Sequence, residues 1–186
     1  MTWFRKQKRL APAIVTSPAM PRPRVLIPAG VLAETERLIA STREHEEVVY
    51  WAGIEGADTS VVLTCIAPHA ATTNGSFDTT ASSNAVVINW IADRGLVLLG
   101  QLHCHPDHRV WHSGGDDRGA LMPYENFLSI VVPHYGQSGI GDLQTSGVHR
   151  FEGGRFSRLT PVQVAATIIS VPAAEDFRGP DHAGLS

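Results

Sequence analysis

Cysteine is scarce in this chain, which has only Cys65 and Cys104. A small secreted domain held by disulfides needs more, so nothing points to an oxidising compartment. A closed structural zinc site built on thiolates is also out of reach. No apolar run approaches the roughly 18 residues of a membrane span. No membrane partner is expected, and a cytoplasmic protein is the default. Positive charge is not in excess either: 15 Lys+Arg face 18 Asp+Glu, a formal net charge of -3. A nucleic-acid binder normally carries a basic excess, so no nucleic-acid partner is expected. There is no internal repeat. Arg5, Lys6, Lys8 and Arg9 ahead of Leu10 to Val15 faintly mimic a signal peptide, but Pro12 breaks the short apolar run.

What the chain does have is enough apolar material for one packed domain. It is 186 residues long and 43% hydrophobic. Residues 1–24 are basic, then rich in proline at Pro18, Pro21 and Pro23, and read as an arm. Residues 25–170 read as the domain and 171–186 as a disordered tail. Val25 to Ile27 predicts a short strand, and the spacing of Val31, Leu32, Leu38 and Ile39 predicts an amphipathic helix over 30–43. Residues 47–54 and 61–67 predict a strand hairpin around the turn signal at Gly56 to Asp58. Residues 70–82 are rich in Thr, Ser, Asn and Gly and predict a loop. Asn84 is the expected cap of a helix that Gly95 ends. Residues 96–105 predict a buried central strand, 106–115 a loop, 116–122 a short helix and 127–132 another buried strand. Gly153-Gly154 predicts a hairpin between 148–151 and 155–159. Helices alternating with apolar strands indicate an α/β or α+β domain with a central sheet flanked by helices.

The chemistry concentrates in Leu102-His-Cys-His-Pro-Asp-His-Arg-Val-Trp-His-Ser-Gly-Gly-Asp116. Alternate residues of a strand share a face, so His103 and His105 project together from the strand end while Cys104 points away. After a loop of ten residues Asp116 can add a carboxylate oxygen. Two nitrogens and one oxygen make a catalytic-type zinc set, with a fourth position left for water. His-x-His alone also arises by chance in a chain with nine histidines. Proline after the second histidine, together with Ser113 and Asp116 at set offsets, is more specific.

This segment resembles the signature of the JAMM/MPN metalloproteases: His-x-His, ten residues, then Asp, with Ser three before it. His103, His105, Ser113 and Asp116 occupy those positions, and Pro106 and Trp111 also resemble family members. The order of elements over roughly 25–160 is similar too. The resemblance implies a single MPN/JAMM domain with a central mixed sheet and a cytidine-deaminase-like architecture. It implies one zinc ion held by His103, His105 and Asp116. It also implies a catalytic glutamate opening an upstream strand, with a small residue three positions on and glycine seven on. Glu46 places Val49 and Gly53 at those offsets, although valine is not the usual small residue. Glu47 is one position out and Glu44 further off. The plain alternative is that these acids form a charged helix end. His45-Glu46 does not open a His-Glu-x-x-His motif, because residue 49 is valine. The zinc-deaminase signature is absent as well, since no Pro-Cys-x-x-Cys follows.

The resemblance further implies amide hydrolysis by an activated water, with Glu46 as general base and then acid and Ser113 as oxyanion donor. The implied substrate is the C-terminal tail of a ubiquitin-like protein or its lysine-linked conjugate, which would make the chain an isopeptidase. Stand-alone bacterial members of this kind are associated with ubiquitin-like conjugation, hence with activating- and conjugating-enzyme-like partners, or with sulfur-carrier pathways. The competing expectations are a peptidase that exposes the end of a sulfur-carrier protein, a non-catalytic MPN scaffold and an unrelated structural metal site. His108 and His112 read as solvated loop residues. His69, His134, His149 and His182 have no motif around them.

Overall fold

A strand that is apolar on both faces belongs in the middle of a sheet, and residues 97–104 sit there. The computed structural model describes residues 23–119, 121, 123–141 and 143–172. The expected arm and tail fall almost wholly outside them. The strands are β1 (Arg24–Pro28), β2 (Val48–Ile54), β3 (Thr59–Ile66), β4 (Ala70–Thr73), β5 (Ser76–Thr79), β6 (Val97–Cys104), β7 (Leu128–Val132), β8 (Gly147–Glu152), β9 (Arg155–Arg158) and β10 (Ile168–Val171). The helices are α1 (Ala29–Ile39), α2 (Ala81–Ala92), α3 (Gly114–Gly119) and α4 (Pro161–Thr167). Eight strands form one mixed sheet in the order β10-β1-β3-β2-β6-β7-β8-β9, and β4 pairs β5 in a separate hairpin.

Each face of the sheet is covered by its own helix. Val49, Trp51, Leu102, Ile130 and Val132 point toward α1 and pack with its Ile39. The indole of Trp51, completely buried, donates to Thr35 Oγ1 of α1 at 3.0 Å. The opposite face carries Val48, Tyr50, Leu98 and Phe127 against Val87 and Ile91 of α2. This is the α+β arrangement expected, a central mixed sheet flanked by helices.

Several elements depart from the expectations. The predicted loop 70–82 is the β4–β5 hairpin followed by the first turn of α2. Thr80, not Asn84, caps α2, accepting from Ser83 N at 3.1 Å. Asn84 is occupied elsewhere, its amide donating to Thr79 Oγ1 at 3.0 Å. The helix expected over 30–43 stops at Ile39, and α3 begins at Gly114 rather than Asp116. Neither α4 nor β10 was foreseen, although Thr160 and Gln163 form a reciprocal cap with Pro161 at the first position. The Gly153-Gly154 hairpin does form, with positive φ at both residues (58° and 82°), as a tight turn of this kind requires.

Candidate active site

β6 ends the sheet's middle with two histidines on the α2 face. His103 is completely buried, and His105 lies just past the strand. α3 then brings Asp116 back over them. Asp116 Oδ1 lies 3.5 Å from His103 Nε2, and Oδ2 lies 3.6 Å from His105 Nε2. The two Nε2 atoms are 3.2 Å apart. One ligand atom from each of the three residues falls within 4.8 Å of the others.

The donor set suits a divalent cation, because three lone pairs meeting in a half-buried space repel one another unless a positive charge sits between them. Each ligand is also prepared. His105 Nδ1 lies 2.9 Å from the Arg109 carbonyl, which only an N–H can satisfy, so Nε2 keeps its lone pair. Burial lowers the pKa of His103 against the opposing pull of Asp116, which favours the neutral imidazole a metal needs. Burial also acts to lower His105, but the Asp116 hydrogen bond and charge outweigh it and raise that pKa. Burial pushes Asp116 up, yet its hydrogen bonds with His103 and His105 hold the carboxyl well below the usual range. Asp116 is steered by Ser113, whose N–H donates to Oδ2 at 2.6 Å. The Ser113 hydroxyl in turn accepts from Gly115 N at 3.1 Å and Asp116 N at 3.2 Å. Both lone pairs of that oxygen are used, and its proton remains to be donated.

A cavity of about 250 Å³ opens beside these residues and is lined by Glu46, Gly75, His105, Trp111, Ser113 and Asp116 among others. Glu46 is 6% exposed, and burial, opposed by His105, raises its pKa above the ordinary carboxylate value. Its backbone N–H is pinned to Thr73 O of β4 at 2.7 Å. Glu47 turns elsewhere, accepting from Thr42 Oγ1 at 3.1 Å, and Glu44 is exposed. Cys104 lies buried on the α1 face, its thiol accepting from Glu47 N at 3.1 Å and pushed up to about 12 by burial. The β4–β5 hairpin overhangs the site: Phe77 packs on His103 with ring centroids 5.4 Å apart, and Asn74 O accepts from Tyr135 at 2.7 Å.

The reading of His112 as a solvated loop residue is wrong. It is half-buried and lines the cavity, its ring 4.1 Å from His149 and 4.7 Å from Phe156. Its Nε2 lies 3.0 Å from the Ser129 hydroxyl. His149, which has no motif around it, is buried. A sequence signal existed: Gln101 and Ser129 interrupt apolar strands, and Gln101 lies two before His103, hence on its face.

No protein-family model matches the chain. A probable metalloprotease of Sinorhizobium fredii is 33% identical over 95 residues, 49% of this chain and 58% of that protein. The chain is similar to the JAMM/MPN metalloproteases. It spans less than two thirds of that curated relative's length. A protein of Desulfitobacterium hafniense, solved in solution, shares the fold with a TM-score of 0.59 at 14% identity, covering 81% of this chain and 95% of that one. A JAB1/MPN domain protein from Archaeoglobus fulgidus superposes with a TM-score of 0.45 at 14% identity, over 80% of this chain and 98% of that one. No helix of the described residues is long and apolar enough to cross a membrane.

Proposed function

We propose that the chain is a zinc-dependent peptidase of the JAMM/MPN type. The observation that carries this reading is the convergence of His103, His105 and Asp116 beside a cavity that Glu46 and Ser113 also line. Zinc, when held there, supplies a water acidic enough to ionise near neutral pH and polarises a carbonyl. Glu46 takes the proton of the attacking water and returns it to the leaving amine. Its raised pKa suits both halves of that task, because the ideal shuttle titrates near working pH. The Ser113 hydroxyl donates to the oxyanion as it forms. Burial of His103 and the backbone grip on Asp116 keep the donor set assembled, which spares reorganisation during the reaction.

The substrate in this reading is the C-terminal tail of a ubiquitin-like protein, cut from a lysine. β4 and β5 pair only with each other as strands among the described residues, and Gly75 at their turn lines the cavity, so an extended tail can add to the β5 side of the hairpin as a strand. At the hairpin's base an apolar groove of about 380 Å³ lies between the end of β3 and α2, with Val86 and Trp90 on its walls. It suits the apolar patch of a folded partner.

The test is zinc content and cleavage measured together, on a lysine-linked conjugate and on a linear fusion of a ubiquitin-like protein. Glu46→Gln is expected to retain zinc and lose cleavage, and His103→Ala to lose both. Full activity in Glu46→Gln would remove the proposed base. Cleavage of the linear fusion alone would replace the isopeptidase by a processing peptidase.

A further inference from the structure

Asp116 lies on a six-residue helix at the end of a long loop, yet it must meet one histidine at the end of a buried strand and another just past it. Something has to hold α3 at that height. One row of the sheet, a step inside the histidines, is polar where the core should be apolar. Gln101 of β6 pairs with Ser129 of β7, and Ser129 pairs with His149 of β8. Gln101 and Ser129 are 1% and 0% exposed. Such groups are costly to bury unless matched, and their partners are the two ends of the α3 segment. Leu121 N, after the helix, donates to Gln101 Oε1 at 3.2 Å. Gln101 Nε2 donates to Ser129 Oγ at 3.3 Å. Ser129 Oγ is 3.0 Å from Nε2 of His112, the residue just before Ser113. Ser129 Oγ accepts from Gln101, so its own proton goes to His112 Nε2, which leaves the imidazole proton on Nδ1.

We propose that Gln101, Ser129 and His112 form a clamp that sets the position of Asp116, with His112 as a positioning residue for the metal centre. The row grips the chain before Ser113 and again at Leu121, so α3 is tied to the sheet at both ends. His112 is pressed into place by His149 on one side and the edge of Phe156 on another. Its ring also lies 6.1 Å from that of His103, a second ligand in the proposed metal set. Side chains that orient metal ligands without touching the ion typically change affinity by about 10- to 100-fold when removed.

This inference rests on the reading of His103, His105 and Asp116 as zinc ligands, and the experiment separates the two. Zinc affinity of the full chain is measured by competition with a chelating dye, and Tm of the metal-stripped protein by calorimetry. His112→Phe keeps the ring and deletes the acceptor. It is expected to weaken zinc binding roughly 10-fold or more, whereas His112→Gln, which restores an acceptor at that reach, binds as the parent does. Ser129→Ala carries the same test should His112→Phe fail to fold. Thr35→Val is the control: it breaks a buried hydrogen bond on the other face of the sheet, so it lowers Tm and leaves zinc affinity alone. Zinc affinity within twofold of the parent in both His112→Phe and Ser129→Ala overturns the clamp. A parent protein that takes up no zinc overturns the metal reading and the clamp together.

Discussion

In the proposed reading Ser113 does two jobs with one oxygen. It stands just before the first residue of α3 and accepts from Gly115 N and Asp116 N, while Asp116 accepts from Ser113 N. Cap and proposed oxyanion donor are therefore the same group, and both losses are expected in one variant. Ser113→Ala is expected to cut the cleavage rate by about 10²–10³ and stability by about 1 kcal/mol, read by steady-state kinetics and denaturant titration. An unchanged rate would leave Ser113 as a cap only. His149 makes a different kind of prediction. Burial, then the neighbouring His112, lowers its pKa to about 4, against about 6.5 for an ordinary histidine. Between those values the unfolded chain binds the extra proton, so this contribution to stability is lost as pH falls from about 6.5 to about 4. The full loss is roughly 3 kcal/mol. In metal-stripped protein, His149→Phe is expected to flatten the acid limb of stability against pH by about one proton in that window. An unaltered slope would mean that His149 titrates normally. At this scale the ligand spacing was legible in the sequence, because strand alternation alone puts His103 and His105 on one face. The environment of His112 was not, since it depends on residues 17 and 37 positions further along.

The loop between β6 and α3 is held by contacts that no local pattern announces. His134 N donates to Asp107 O at 3.0 Å, and Tyr135 N donates to His105 O at 2.9 Å. Val110 lies so close over β8 that a Cβ on Gly147 would run into its carbonyl oxygen. Gly147→Ala therefore has to push the loop off the sheet, since a backbone atom cannot rotate aside. Its expected result is zinc binding weakened about 10-fold or more with the sheet intact, measured by dye competition and circular dichroism. Parent-like zinc affinity would show that the loop accommodates the methyl. The composition of the β4–β5 hairpin predicts a loop, because Thr, Ser, Asn and Gly are loop residues. It is a hairpin because Glu46 N finds Thr73 O and Phe77 finds the face of His103. The central strands were legible because continuous apolar runs of that length have few alternatives. α4 and β10 were not. Seven and four residues give too little periodicity to see, and among the described residues β10 finds its strand partner in β1, about 143 positions away in sequence.

For the molecule as a whole, metal and fold are coupled if the ligands converge only in the native state. Zinc at about a thousand times its dissociation constant then adds about 4 kcal/mol, a rise in Tm on the order of 10 °C for a chain of this size. A chelator is expected to remove that rise in the parent protein and to do nothing to His103→Ala, both read by calorimetry. An equal response in the two proteins would place the metal somewhere else. By itself the sequence determined a mixed class, α/β or α+β, the buried middle of the sheet and the pairing of His103 with His105, because these follow from periodicities of two and 3.6 residues. Only the tertiary structure decided that Glu46 rather than Glu47 faces the cavity, that a hairpin roofs it, and that Gln101, Ser129 and His112 meet beneath α3. Those outcomes depend on which distant segments bury one another, and hydrogen bonds between strands far apart in sequence leave no mark on local composition.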